Sequence, residues 1–148
     1  MAVSSKHILS QGPVLAALGR AAAGALTQKL GLGGRRELVL PSPELTITAR
    51  ERSPALIRDY VRAVGGDPGA YRDELPPHLF PQWAFGLASR TLEGIPYPMM
   101  KVMNGGCRLE VNGPLPADEP LHVSASLQGI DDNGRRAVLH QRLVTGTA

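Results

Sequence analysis

Leu121-His122-Val123-Ser124-Ala125-Ser126-Leu127-Gln128 alternates apolar and polar side chains without a break. That is the period of a strand with one face buried and the other wet. Asp131-Asp132-Asn133-Gly134 follows, and Asn-Gly accepts the positive φ that a tight hairpin turn needs. A second strand over about 137–145 is therefore expected to return antiparallel, running to the end of the sequence. Upstream, Cys107, Leu109 and Val111 alternate with Arg108 and Glu110, and Leu45 and Ile47 alternate with Thr46 and Thr48. Both stretches predict strands. Residues 37–40 read as another short extended piece, divided from the next by Pro41-Ser42-Pro43.

The remaining apolar residues recur at helical spacing. Gly12-Pro13 opens a first helix, with Leu15, Leu18, Ala22, Leu26 and Leu30 on one face, Arg20, Gln28 and Lys29 opposite, and Gly31 as its stop. Its apolar face is mostly alanine, which favours packing on protein over lying on a membrane. Ser53-Pro54 starts a second helix, with Leu56, Ile57, Tyr60, Val61 and Val64 on one side and Gly65-Gly66 at its end. Pro76-Pro77 and Pro81 lead into a third, where Phe80, Trp83, Ala84, Leu87, Ala88 and Leu92 share a face. Gly86, Ala88 and Ser89 keep that helix slim enough for a sheet to approach, and Gly94 and Pro96 end it. Helices followed by an antiparallel meander predict an α+β domain with its helices on one face of the sheet.

Composition narrows the function classes. At 148 residues and 43% hydrophobic, the chain is the size of one domain and can bury a core. With 4% aromatic residues and no basic-aromatic interleaving, nucleic acid is a poor partner despite a net charge of +3. Arg35-Arg36 and Arg135-Arg136 could meet the phosphates of coenzyme A, although a solvated surface is the simpler reading. Gly31-Leu32-Gly33-Gly34 follows a helix, whereas a phosphate loop follows a strand, so a connector is expected. Cys107 is the only cysteine, which rules out an intrachain disulfide and suits a reducing compartment; its apolar phase predicts a buried, inert thiol. His7, His78, His122 and His140 lack metal-ligand spacing, and neither a metal nor a cofactor is expected. Arg20 interrupts the apolar run over 14–26, and no segment reaches the roughly 18 apolar residues of a membrane span. A cytoplasmic location is expected.

Three stretches carry a family resemblance. They are Asp59-Tyr60-Val61-Arg62-Ala63-Val64-Gly65-Gly66-Asp67, Leu75-Pro76-Pro77-His78-Leu79-Phe80-Pro81-Gln82, and Leu109-Glu110-Val111 through Pro114-Leu115-Pro116 to Leu121-His122-Val123. In order and spacing the chain resembles the N-terminal repeat of MaoC-like acyl dehydratases, the enoyl-CoA hydratase type of lyase in fatty acid metabolism. The resemblance implies a hot-dog fold, an antiparallel sheet wrapped around a long central helix. Residues 1–34 would be an added amphipathic helix with its Gly-rich connector, and 35–148 a single hot dog lacking its last strand or a second repeat. It also implies an acyl-CoA or acyl-carrier-protein thioester as ligand, and a homodimer or a catalytic hot-dog partner.

Catalysis in that family uses an Asp and a His in a loop reading Gly-Asp-x-Asn-Pro-x-His, acting as base and acid on one water. With Gly66-Asp67 as the anchor, the Asn, Pro and His positions hold Gly69, Ala70 and Arg72. With Tyr71-Arg72-Asp73 as the anchor, Gly66 and Tyr71 fall where Asp and His belong. Neither register supplies a histidine, so no catalytic residue is assigned.

Asp67 and Tyr71 remain candidates for substrate contact, with a plain turn carboxylate favoured for Asp67. Asn104-Gly105-Gly106 could turn backbone N–H groups toward a thioester carbonyl, or mark a β-bulge, which is favoured. Met99, Met100 and Met103 could line an acyl tunnel or fill the core. His78 is expected to make a local hydrogen bond at the start of the third helix, and His122 and His140 to lie on the surface. Three readings follow: an acyl-binding half inactive alone, a self-sufficient hydratase or thioesterase with atypical residues, and a non-enzymatic dimeric module for apolar ligands.

Overall fold

The sheet is organised around β2 (Leu121–Asp132), the stretch whose alternation is strongest. In the computed structural model, which describes residues 12–29 and 38–147, β2 lies between β1 (Leu45–Ala49) and β3 (Ala137–Gly146), antiparallel to both. Leu121, Val123, Ala125 and Leu127 are buried on one face, while His122 on the other is exposed. His140 on β3 is exposed as well, so both strand histidines lie on the surface as expected. Ser42 prolongs the β1 side of the ladder: its N–H donates to the Leu127 carbonyl (2.8 Å), and its Oγ accepts from the Leu127 N–H (2.9 Å).

The β2–β3 hairpin closes where the Asp-Asp-Asn-Gly signal lies. Gly134 adopts φ +80°, and its N–H donates to Asp132 Oδ1 at 2.8 Å. Asn133 Oδ1 accepts from the N–H groups of Arg135 and Arg136, at 3.0 and 2.9 Å. A β-bulge between Leu127 and Gly129 was not legible in the sequence. It inserts Gln128 as an extra residue, so Ile130 pairs with Leu139 and rejoins the packed side, where unbroken alternation would have turned it outward.

Two helices cover the buried face. α2 (Pro54–Ala63) begins at Ser53, whose Oγ accepts from the Leu56 N–H at 3.3 Å, and buries Leu56, Ile57 and Val61. α3 (Pro81–Arg90) buries Trp83, Ala84 and Leu87. Ile57, Val61, Trp83, Ala84 and Leu87, with Leu75, Leu79 and the inward Leu121, Val123 and Ala125 of β2, form the main core. At ten residues α3 is about three turns, and among the described residues no long helix lies under the sheet. Polar atoms tie α3 to β3. Trp83 Nε1 donates to Thr145 Oγ1 at 3.1 Å, and Gln141 Nε2 donates at 2.7 Å to the Ala88 carbonyl, which also accepts from the Thr91 hydroxyl. A smaller apolar cluster of Leu92, Ile95 and Leu127 packs with Tyr97, Met99, Ile130 and Leu139.

α1 (Gly12–Lys29) runs beside α3, so the first helix does lie against protein. Its expected stripe is not the buried one, since Leu15, Ala22 and Leu26 are exposed. A helix this rich in alanine and glycine has no single strongly apolar face to dictate its orientation. The side chain of Leu18, and residues Leu30, Gly31 to Gly34, Arg35, Arg36 and Glu37, lie outside the described residues.

Two predicted strands are absent. Residues 38–40 are irregular, with Leu38 packed on the smaller cluster. Residues 107–111 are exposed and in no ladder, so Cys107 is an exposed thiol and not the buried one its phase predicts. Period-two alternation describes what a strand needs on its faces, whereas a strand also needs a neighbour for its backbone. Residues 107–111 have none among the described residues.

Candidate functional site

The loop over 65–73 is set by the way α2 ends. The Gly65 N–H donates to the Arg62 carbonyl (3.1 Å), and the Gly66 N–H donates to the Val61 carbonyl (2.8 Å). This is a Schellman closure, with Gly65 at φ +82°. A Cβ on Gly66 would stand 2.9 Å from Val61 Cγ1, so glycine is required for the close approach. The chain then enters a 3₁₀ turn, Pro68–Ala70, capped by Asp67.

Asp67 is the turn carboxylate that the local sequence favours. Its Oδ1 accepts from the Gly69 N–H at 2.8 Å, and the side chain is exposed. Tyr71 is half-buried against the main core, its ring edge-on to His78 with 6.3 Å between centroids. The far end of the loop is clamped to the Pro114-Leu115-Pro116 turn. The Leu75 N–H donates to the Leu115 carbonyl (2.7 Å), and the Ala117 N–H donates to the Asp73 carbonyl (2.9 Å). Two stretches far apart in sequence thus meet, a contact that no local pattern encodes.

His78 departs from its expected role. It sits in the 3₁₀ turn Pro77–Leu79, exposed, and among the described residues its ring makes no hydrogen bond. The ring instead lies between two tyrosines, 5.4 Å from Tyr60 and 6.3 Å from Tyr71. The Tyr60 hydroxyl donates to the His78 carbonyl at 3.1 Å, and burial pushes the Tyr60 phenol up. Tyr60 was read only as a core position of α2, and the sequence carried no signal for this cluster because its members come from three separate elements. The arrangement offers an aromatic surface. It supplies no base and acid poised on one water, since Asp67 is turned to its own loop and Tyr71 meets His78 by ring contact alone.

Asn104, Gly105 and Gly106 lie elsewhere, exposed, just before the stretch 107–111 that was expected to become a strand. Gly106 has φ +128°, and its N–H donates to Asn104 Oδ1 at 2.9 Å. That donor is therefore already used within its own turn. The feature is neither a bulge, since no ladder runs there, nor a pair of free N–H groups aimed at a carbonyl. No hydrogen bond or ring contact joins this turn to Asp67 or Tyr71 among the described residues. Of the three methionines, Met99 packs on the smaller cluster as core filling, whereas Met100 and Met103 are 81% and 86% exposed and line no tunnel here.

An open depression lies at the hairpin tip, lined by Ile130, Asp131, Asp132, Asn133, Arg136 and Val138. Its carboxylates are engaged. Asp131 pairs with His140 at 2.8 Å, and Asp132 Oδ2 accepts from the Tyr97 hydroxyl at 2.8 Å. The Gly134 N–H, and then Tyr97, hold the Asp132 carboxyl below its usual range. Asp67, Tyr71, Asn104, Gly105 and Gly106 do not line this depression; Arg136, weighed above against the phosphates of coenzyme A, does. No group of three or more metal-ligating side chains occurs among the described residues, and no described helix is long and apolar enough to cross a membrane. No protein-family model, curated protein or solved structure matches the chain.

Proposed function

We propose that the chain is an acyl-thioester-binding half of a MaoC-like acyl dehydratase, a hot-dog domain that shapes an acyl pocket and does not hydrate substrate alone. The observation that carries this reading is the packing of α3, led in by the Leu75-Pro76-Pro77-His78 turn, across the apolar face of an antiparallel sheet. It is the element order that the sequence resemblance implies, with a shorter helix. The inactivity follows from residues 65–73, where the single carboxylate before Asp73 caps a turn and no histidine is present. Hydration across an α,β-double bond needs a proton donor and acceptor on one water, and a capped turn supplies neither in place.

Isothermal titration with a saturated acyl coenzyme A, paired with a hydration assay on crotonyl coenzyme A, tests the reading. Saturable binding without turnover is expected. Turnover that Asp67→Asn abolishes would instead establish a self-sufficient hydratase. Binding of the free fatty acid with no preference for the thioester would make the chain an apolar-ligand module.

A further inference from the structure

The connection between β1 and α2 carries a cation that the fold draws inward without a counter-charge. Arg52 is half-buried, and its guanidinium stands over the Trp83 ring, 5.9 Å from the centroid. Nη1 donates to the Arg50 carbonyl at 2.6 Å, and Nε lies buried with no acceptor. A ring face attracts a cation but offers no lone pair along the Nε–H bond, so Trp83 does not satisfy that donor. Among the described residues no carboxylate pairs with Arg52, and the neighbouring Glu51 is exposed and makes no bond to it.

Arg50 and Arg58, close by in sequence, are exposed and keep their water. Arg52 does not. Burial pushes its guanidinium below the usual arginine value, and no neighbouring carboxylate acts the other way. A charge taken partly out of water is stabilised by an anion that supplies the missing acceptors. Nη2 makes no hydrogen bond and, unlike Nε, is not closed off from solvent, so it is the donor an anion can reach. Holding the turn through the Arg50 carbonyl uses one of the five N–H donors and leaves the others without a role.

We propose that Arg52, held over Trp83, is an anion-binding residue whose ligand is the carboxylate of a small molecule. The guanidinium is a planar fork with one positive charge, and a carboxylate is its planar, singly charged complement. A phosphate dianion would be only half neutralised, because Arg50 and Arg58 are exposed to water and Arg52 is the inward cation of this connection. The indole then has a second function beside its place in the core: it fixes the plane in which the fork is offered. This site is distinct from the depression at the hairpin tip, which neither Arg52 nor Trp83 lines.

Trp83 is the only tryptophan and lies beneath the guanidinium, so its emission reads the site directly. Sodium acetate replacing sodium chloride at fixed ionic strength should shift that emission along a saturating curve, half complete at about 10–100 mM, and raise Tm over the same range. Arg52→Met keeps an apolar stem and removes the charge, and it should abolish both responses. Arg52→Lys keeps the charge without the fork and should lose most of them; it decides the matter if Arg52→Met does not fold. The absence of saturation in the unaltered chain, or an undiminished response in either variant, would overturn the proposal. A response to inorganic phosphate with none to acetate would overturn the carboxylate assignment. The probe contains no thioester, so the outcome is independent of whether one binds.

Discussion

Residues 121–127 and residues 107–111 carry similar alternating side chains and live in opposite surroundings. In the first, Leu121, Val123, Ala125 and Leu127 are each 1% exposed or less, with α3 above them and a strand on either side. In the second, Cys107, Leu109 and Val111 are exposed and the backbone joins no ladder among the described residues. The difference lies beyond the segments themselves. β2 is joined to β3 by a turn whose own hydrogen bonds fix the return of the chain. Residues 107–111 are flanked by Asn104-Gly105-Gly106 and Asn112-Gly113-Pro114, neither of which folds the chain back on them. A strand is thus decided by its connections as much as by its pattern.

That contrast can be broken at the β2 end most forcefully. Leu127→Ala, which empties a fully buried site where the apolar cluster meets the sheet, should lower the unfolding free energy by about 2–5 kcal/mol in urea denaturation. Next comes the connection itself. Gly134→Ala forces a side chain to φ +80° and should cost about 1–2 kcal/mol, with the hairpin amides losing hydrogen-exchange protection first. Trp83→Phe keeps most of the packing but removes the indole donor to Thr145, for an expected loss of about 1 kcal/mol concentrated in protection of β3. Leu109→Ala is the mildest. It should change the stability of the chain by less than about 0.5 kcal/mol. A loss comparable to that of Leu127→Ala would show residues 107–111 packed within the monomer, and the contrast would fall.

The elements with local signals were legible in the sequence: the Ser53 cap, the Gly65-Gly66 stop, the Asn133-Gly134 turn with the strand returning from it, and the alternation of β1 and β2. Features set by tertiary fit were not. The bulge at Gln128 depends on how Ile130 reaches its cluster, and the ring contact of His78 with Tyr60 and Tyr71 depends on three elements converging. Asp67 was legible as a cap because Asp-Pro-Gly is a local turn signal, whereas Asn104 was misjudged because its reach to the Gly106 N–H competes with the bulge that glycines also suggest. The exposure of Cys107 follows from a missing neighbour, which no residue in its own stretch could announce.

Trp83 has an optical consequence. It is the only tryptophan in the chain, its indole N–H is held by Thr145 of the edge strand, and the Arg52 guanidinium stands 5.9 Å from its ring. Whatever loosens β3 from α3 frees that N–H and admits water to a side chain otherwise 5% exposed. The emission wavelength of the native protein, without any label, therefore reports whether the open edge of the sheet is seated.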